Sequence, residues 1–218
     1  MNLTKRSELR RMPNLGSREW ETICQILDAG FLAHVGFSLH DQPFVIPTLY
    51  GRRADRLYLH GSAASRMLRE LQTGIPACVT VTLVDGLVLA RSAFNHSMNY
   101  RSVLAFGIAR KLIDDAEKLE FLQVISEHLI SGRWTEVRAP STQELKATTV
   151  LEFVIEEASS KVRAGPPLDD AEDYGFPVWA GVLPLAIGSQ EPVPDTRLPS
   201  EIAVPEYLRN YEVRLGGG

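Results

Sequence analysis

The chain has 218 residues, of which 44% are hydrophobic and 23% are charged, and its formal net charge is −4. These values are typical of a globular protein with one large domain or at most two. They argue against a nucleic-acid coat protein, because phosphate binding needs a surplus of basic residues on at least one face and no basic run stands out.

No apolar stretch approaches the length that crosses a bilayer, and the N-terminal MNLTKRSELRRM lacks the apolar segment of a secretory signal. We therefore expect a cytoplasmic protein without a membrane or nucleic-acid partner. Cys24 and Cys78 show no C-x-x-C spacing, so they predict two core thiols and no disulfide framework.

The first regular element is an amphipathic helix in SREWETICQILDAG. Ser17 can cap its start, Trp20, Ile23 and Leu27 recur at helical spacing, and Gly30 can end it. Short stretches rich in branched and aromatic residues follow, and they predict an antiparallel meander of strands. These are FLAHVGFS at 31–38, QPFVIPTLY at 42–50 and RLYLHG at 56–61, with loops HDQ and GRRAD between them.

The segment ACVTVTLVDGLVLARSAF at 77–94 predicts two strands joined at Asp85 and Gly86, because this dipeptide supplies the positive φ angles of a tight hairpin turn. A further strand is expected at about 102–112. A helix over 114–132 has acidic residues early and Gly132 as its stop, and two more strands are predicted at 147–157 and 159–165.

From Pro166 onward the composition changes, since eight of the thirteen prolines lie there. This predicts a C-terminal extension, residues 166–218, that wraps over a single domain covering 1–218 with little regular structure. Seven or so short strands with two or three helices predict a β-rich α+β fold around a closed or nearly closed antiparallel sheet. A doubly wound parallel sheet is not expected, because strands and helices do not alternate.

The junction HGSAASRMLRELQTG leaves a strand and enters a helix, so it presents free backbone N–H groups, hydroxyl side chains and Arg66 together. This suits a phosphate. The alternative is that Ser62 or Ser65 only caps the helix while Arg66 is solvated, since the segment lacks a defined phosphate-loop motif.

A second polar cluster lies in AFNHSMNYRSV at 93–103. If NYRS lies at the start of a strand beside the helix entrance, Arg101 and Ser102 can meet the same phosphate, with Tyr100 adding a hydroxyl.

Other site types have less support. The histidines show no metal-ligand spacing, and no G-x-S-x-G nucleophile elbow is present.

Taken together, the segments PFVIPTLY, LYLHGSAASRML, HSMNYRSV, SSKVRAGPP and YGFPVWAGVLPL resemble a known family. They are similar to the flavin-nucleotide-binding branch of the pyridoxamine 5′-phosphate oxidase-like proteins, which includes nitroimidazole-reductase-like members. The resemblance runs from about Arg18 to Leu185. It implies an antiparallel split β-barrel with flanking helices that forms a homodimer and binds FMN in a groove between the subunits.

The resemblance also implies roles for particular residues. The phosphate contacts would be Ser65, Arg66, Arg101 and Ser102, with Tyr100 close by. Backbone groups of Val45, Ile46, Pro47 and Thr48 would line the isoalloxazine, and His60 and Asn99 are further candidates near the ring or ribityl chain. Trp179 would cover part of the flavin from the partner subunit, or it would anchor the Pro-rich tail by packing.

Lys161 and Arg163 recur in the family segment, but alternating charges equally form a solvated strand face. His60 and His96 are the histidines to test as proton donors, against a structural role for each. The arginine-rich C-terminal segment of pyridoxamine phosphate oxidase itself is missing, which argues against that substrate.

The leading hypothesis is an FMN-dependent oxidoreductase that reduces a small nitroaromatic or quinone-like acceptor through flavin N5, with a reduced nicotinamide or another flavin as electron donor. Two alternatives stay open. One is a non-catalytic flavin-binding or storage protein, and the other is a haem-binding member of the split-barrel group.

Overall fold

The computed structural model describes residues 5–7 and 15–211, and its central element is an antiparallel sheet. The described strands are β1 (Gly16–Ser17), β2 (Leu32–Leu39), β3 (Gln42–Leu49), β4 (Gly51–Arg53), β5 (Arg56–Ser62), β6 (Pro76–Leu89), β7 (Ser97–Lys111), β8 (Thr148–Arg163) and β9 (Gly181–Pro184). The described α-helices are α1 (Trp20–Ala29), α2 (Arg66–Leu71), α3 (Asp115–Leu129), α4 (Thr142–Ala147) and α5 (Glu206–Arg209).

The order of the strands explains why the sheet is split. It runs β3-β2-β6-β7-β8-β5-β4, with β1 beside β8 and β9 beside β6. β3 and β4 lie at the two ends of this order and do not pair with each other in the described part of the chain. This open antiparallel sheet with flanking helices is the α+β split barrel that the sequence predicts.

The hydrophobic core lies within the curved sheet and receives two helices. α1 contributes Ile23, Ile26 and Leu27, all at most 2% exposed, and its end at Gly30 is confirmed. α2 buries Met67, Leu68 and Leu71 in the same cluster. The third predicted helix, α3, lies outside the core, where Phe121 stacks on Tyr58 of β5 at 3.9 Å between ring centroids.

The β2–β3 hairpin is closed by a turn of two residues. His40 and Asp41 have φ angles of 49° and 60°, which fits the type I′ turn that matches strand twist. Leu39 and Gln42 are paired across this turn, so they form the first hydrogen-bonded pair of the ladder. The turn thereby fixes which backbone groups of β3 face β2.

The hairpin predicted at Asp85 and Gly86 is wrong. β6 continues through both residues as one strand, and the register shift between Val84 and Gly86 leaves Asp85 as a β-bulge. Glycine is needed here for close approach, because a Cβ on Gly86 would lie 3.0 Å from the carbonyl oxygen of Leu183 in β9.

The two strands predicted at 147–157 and 159–165 are likewise one strand, β8, with an irregularity in its middle. Phe106 pairs with Glu157 and Gly107 with Ile155, so Glu156 is the extra residue of a bulge. The strand bends opposite Gly107, where a Cβ would lie 1.9 Å from the carbonyl oxygen of Val154. Because of this bulge both halves of β8 stay in the sheet, although the sequence predicted two separate strands.

Several smaller predictions also need correction. The loop predicted at 51–55 contains β4, and the predicted meander is incomplete because β5 pairs with β4 and β8 and does not pair with β3. Glu19, not Ser17, occupies the N-cap of α1, and the Ser17 hydroxyl accepts the Glu19 N–H at 3.0 Å.

The two cysteines are free, but both are only partly buried and neither belongs to the main core cluster. Within the described residues, no helix combines the length and the apolar composition needed to span a membrane. Between 167 and 211 the described tail is mostly irregular, although β9 within it joins the sheet.

Candidate functional site

The free edge of β3 lies at one side of the split. Because the turn makes Leu39–Gln42 a hydrogen-bonded pair, Phe44 and Ile46 also bond to β2, whereas the backbone groups of Pro43, Val45 and Pro47 point away from it. Proline is tolerated at such edge positions because its missing N–H is not needed by the ladder.

The alternating direction of the backbone groups along β3 leaves an unusual hydrogen-bonding pattern on its free edge. Pro43 and Pro47 offer only carbonyl groups there, so Val45 N–H is the one backbone donor between them. A planar heterocycle with acceptor atoms along its rim can receive this N–H, and the carbonyls beside it can accept from ring N–H groups. The predicted role of Val45 to Thr48 as a backbone contact for a flavin ring is chemically consistent with this edge.

Arg66 lies beside the same strand. Its guanidinium carbon is 5.5 Å from the centre of the Phe44 ring, which stacks in turn on Phe37. Arg66 is exposed, and within the described residues it forms no ion pair. A fixed guanidinium with open donors next to the edge of β3 suits a phosphate group.

The helix entrance before Arg66 differs from the predicted cradle. α2 has six residues, so its dipole contributes little and the side chains would supply most of the attraction. Ser65 stands at the N-cap position without a side-chain capping bond, and the Ser62 hydroxyl accepts the Ala64 N–H at 3.2 Å. The Ser65 hydroxyl is therefore available to a ligand together with Arg66.

His60 lies on β5, with its side chain partly buried. Its Nδ1 is buried and has no hydrogen-bond partner in the described part of the chain, and this burial lowers the pKa of the imidazole below its ordinary value. The ring is therefore kept neutral over a wider pH range than an exposed histidine.

Arg101, the second predicted phosphate contact, is held by an internal partner. Its Nε and Nη2 donate to the two carboxylate oxygens of Asp85 at 3.0 and 2.7 Å. This bidentate hydrogen bonding raises the pKa of the Arg101 guanidinium, and it fixes the bulge of β6 to β7. Asp85 was expected in a hairpin turn, so sequence reasoning missed this pair.

Asn99 is also engaged by the chain itself. Its side-chain NH₂ donates to the carbonyl oxygen of Gly165 at 3.2 Å, and its Oδ1 accepts a hydrogen bond from Arg163. Arg163 therefore belongs to a clamp between β7 and the end of β8 and is not merely part of a solvated face. His96 has a comparable local contact, with Nδ1 at 3.0 Å from the carbonyl oxygen of Ser92.

The remaining predicted residues lie at the same end of the sheet as Arg101. Tyr100 and Ser102 are paired with Val84 and Thr82 of β6, and both are half-buried. Trp179 precedes β9 and is 68% exposed, with its ring close to Gly181.

The predicted contacts therefore form two groups within one chain. Val45 to Thr48, Ser65 and Arg66 surround the free edge of β3, while Asn99 to Ser102 and Trp179 surround the bulge of β6. Phe44 of β3 pairs with Phe37 of β2, Phe37 pairs with Ala77 of β6, and Ala77 pairs with Gly107 of β7. Gly107 is therefore the residue of β7 that lies level with Phe44. Arg101 is six residues further along β7, about 20 Å of strand.

Comparison with protein families gives a match over most of the chain. Residues 19–162 match the family model described as pyridoxamine 5′-phosphate oxidase. No curated protein matches the chain at a significant level.

Solved structures give closer comparisons. The flavocytochrome Anf3 from Azotobacter vinelandii is 44% identical, with a TM-score of 0.90 over 96% of this chain and 97% of that one. The FAD and haem binding protein from Mycobacterium smegmatis is 36% identical, with a TM-score of 0.85 over 89% of this chain and 96% of that one.

A Bacteroides thetaiotaomicron protein named for 5-nitroimidazole antibiotic resistance is 23% identical, with a TM-score of 0.58 over 67% of this chain and 86% of that one. It supports the fold alone. The family model and the two more similar structures go further, because the model matches well over half of the chain and both structures, at 44% and 36% identity, cover most of it. This chain belongs to the pyridoxamine 5′-phosphate oxidase family.

Proposed function

We propose that this protein is a flavin-binding oxidoreductase that also carries a haem. The observation that carries the flavin assignment is the free edge of β3, where Val45 N–H stands between two prolines and Arg66 lies beside the strand. An edge with ring-directed backbone groups and an adjacent guanidinium suits a planar heterocycle that is joined to a phosphate.

The names of the two most similar structures described above support the same assignment. One is called a flavocytochrome and the other an FAD and haem binding protein, and each matches nearly its full length. The family resemblance by itself predicts FMN. The shared chemistry is an isoalloxazine with a ribityl phosphate, so both FMN and FAD are to be tested.

In this proposal the chain positions the cofactor and shields it. Backbone groups of β3 orient the ring, and Ser65 and Arg66 bind the phosphate. A flavin bound there would supply the redox chemistry, with a reduced nicotinamide or another flavin as electron donor and a small nitroaromatic or quinone-like compound as acceptor. An electropositive Arg66 near the cofactor also favours an anionic ligand over a neutral one.

A homodimer belongs to the proposal because the outer face of the sheet is apolar and exposed. Val45, Leu49, Leu104 and Ile108 are each between 38% and 64% exposed, and soluble monomers rarely expose so many large apolar side chains on one face. A partner subunit that covers this face would also bring its own Trp179 and Arg101 group towards the flavin edge. The measured molar mass in solution tests this part.

The experiment is an absorption spectrum of purified protein, followed by acid release and chromatography of the flavin. We expect flavin bands and a Soret band, with FMN and FAD separated by their retention. Anaerobic addition of reduced nicotinamide should bleach the flavin, and an added quinone should restore it. A protein that binds neither FMN nor FAD refutes the proposal, and bound flavin that no donor reduces refutes the oxidoreductase part.

A further inference from the structure

A cavity of about 390 Å³ lies between β2, the bulged part of β6 and the segment that follows β9. Its volume is within the range of small-molecule and cofactor sites. The lining residues of the described chain are Gly30, Phe31, Leu32, His34, Thr82, Leu83, Val84, Leu185, Ala186 and Ile187.

The bulge at Asp85 builds one wall of this cavity. The Leu185 N–H donates to the Asp85 carbonyl oxygen at 3.1 Å, and β9 pairs with β6 immediately before it. Together these bonds fix the segment 185–187 at the side of β6 that faces β2. The cavity is therefore produced by the fold and does not depend on a chance surface depression.

The lining of the cavity is mostly apolar and contains a single imidazole. Leu32, Val84, Leu185 and Ile187 are 43%, 43%, 42% and 63% exposed, so their apolar surfaces remain available for contact. His34 is exposed among them, and a hydroxyl of Thr82 is the other polar side-chain group in the lining. Apolar walls that can contact a flat macrocycle, together with one imidazole that could bind iron, suit a haem.

The other histidines are less suited to this role. His60 does not line this cavity, and the Nε2 of His128 lies 2.7 Å from the carbonyl oxygen of Gly30. Nδ1 of His96 contacts the carbonyl oxygen of Ser92, and His40 lies in the β2–β3 turn. His34 is the histidine that lines this apolar cavity.

The position of His34 also fits a redox protein. It is paired with Pro47 of β3, so it lies one strand away from the edge at which we place the flavin. Neighbouring antiparallel strands are about 5 Å apart. The residue that we assign to the iron and the strand that we assign to the flavin are therefore neighbours in the sheet.

From these observations we propose that the cavity binds the haem, with the His34 imidazole as ligand to the iron and the segment 185–187 as one wall. This inference rests on the proposed function, and it assigns a residue and a cavity to the haem part of it.

The test uses the full-length protein, purified without haem and titrated with haemin, with the Soret band and the bound stoichiometry as readouts. His34→Ala should lower haem affinity at least tenfold or shift the Soret band. His40→Asn is the matched control and should bind haem as the wild type does, and His60→Ala tests the competing assignment of the iron ligand. Free imidazole added to His34→Gly should restore the wild-type Soret band.

A second variant tests the cavity without touching the ligand. Ala186→Trp places a large ring in the cavity, so it should reduce haem binding while His34 stays in place. Flavin binding, measured by flavin fluorescence, should be unchanged in this variant and in His34→Ala, which also shows that both variants fold.

The outcomes separate the two claims. A wild-type protein that binds no haem refutes the haem part of the proposed function and this inference with it. Wild-type haem binding that persists unchanged in His34→Ala overturns the inference alone, and so does a loss of haem confined to His60→Ala. Loss of flavin in place of haem in His34→Ala would assign the cavity to the flavin and would also overturn the inference.

Discussion

Arg66 and Arg101 lie in two regions that are similar in sequence. The regions differ in the groups of the protein that already contact each guanidinium. Arg66 contacts the ring of Phe44 and has no ion pair in the described chain, whereas Arg101 is bound by both oxygens of Asp85. Each arginine has a serine next to it in the sequence. A pattern of residue types therefore identifies groups that can bind an anion but not the groups that are free to do so.

The difference has an energetic consequence. Charge-assisted hydrogen bonds contribute about 1.5–3 kcal/mol each in net terms, but a ligand gains this from Arg101 only by competing with Asp85. The two arginines should therefore respond differently to removal. Arg66 should mainly change ligand binding, and Arg101 should mainly change stability.

The largest effect is expected for Arg66→Ala. Loss of its phosphate contacts should lower flavin affinity about 10- to 150-fold, equivalent to about 1.5–3 kcal/mol, with little change in the free energy of unfolding. Titration of FMN and of FAD, followed by flavin fluorescence, measures this. Arg69→Ala, an exposed arginine on the same helix, is the control and should bind flavin normally.

The second effect is expected for Arg101→Ala, which leaves the Asp85 carboxylate without these two hydrogen bonds. Because both side chains are partly exposed, at 23% and 32%, we expect the free energy of unfolding to fall by about 1 kcal/mol. Urea unfolding measures it. Asp85→Ala combined with Arg101→Ala should cost less than the sum of the single changes, as a coupled pair does.

A contrary result for Arg101 is easy to recognise. If Arg101→Ala is as stable as the wild type and binds flavin much more weakly, the pair with Asp85 contributes little and Arg101 belongs to the phosphate site. Such a result would remove the distinction between the two regions.

The fold could be predicted from the sequence because its strand and helix signals are strong, and the errors come from β-bulges. Asp85–Gly86 suits a hairpin turn by composition, yet alternation continues on both sides and β9 closes over Gly86. At Glu156 the strand bends without any turn residue. Bulges depend on partners distant in the chain, so local composition cannot distinguish them from strand ends.

The candidate site could be predicted in part. The residues around β3 and α2 follow from recognisable segments, but the pairing register that leaves the Val45 N–H on the free edge between Pro43 and Pro47 is known only from the structure. The internal partners of Arg101 and Asn99 could not be predicted, because Asp85, Arg163 and Gly165 meet them only through sheet register.

The third effect tests the edge of β3 directly. Val45→Pro removes the backbone donor, and because this N–H does not bond to β2 the fold should tolerate it. We expect flavin affinity to fall by about 1 kcal/mol, roughly fivefold. Val45→Ala keeps the N–H and should bind flavin normally.

Ile46→Pro provides the opposite control for the same strand. Its N–H bonds to β2, so its loss should destabilise the protein by more than Val45→Pro does. If Val45→Pro and Ile46→Pro are equally destabilised in urea, the assignment of the free edge is incorrect.

The smallest effect concerns His60. Burial lowers its pKa, so the unfolded chain binds this proton more readily than the folded protein does. The free energy of unfolding should therefore decrease as the pH falls from about 6.5 towards the lowered pKa, by no more than about 1.4 kcal/mol per pH unit. Urea unfolding between pH 7 and 5 should show a shallower pH dependence in His60→Phe than in the wild type. Equal slopes in His60→Phe and the wild type would mean that another group carries the pH dependence, and that the buried imidazole near the split is not an energetic cost to the fold.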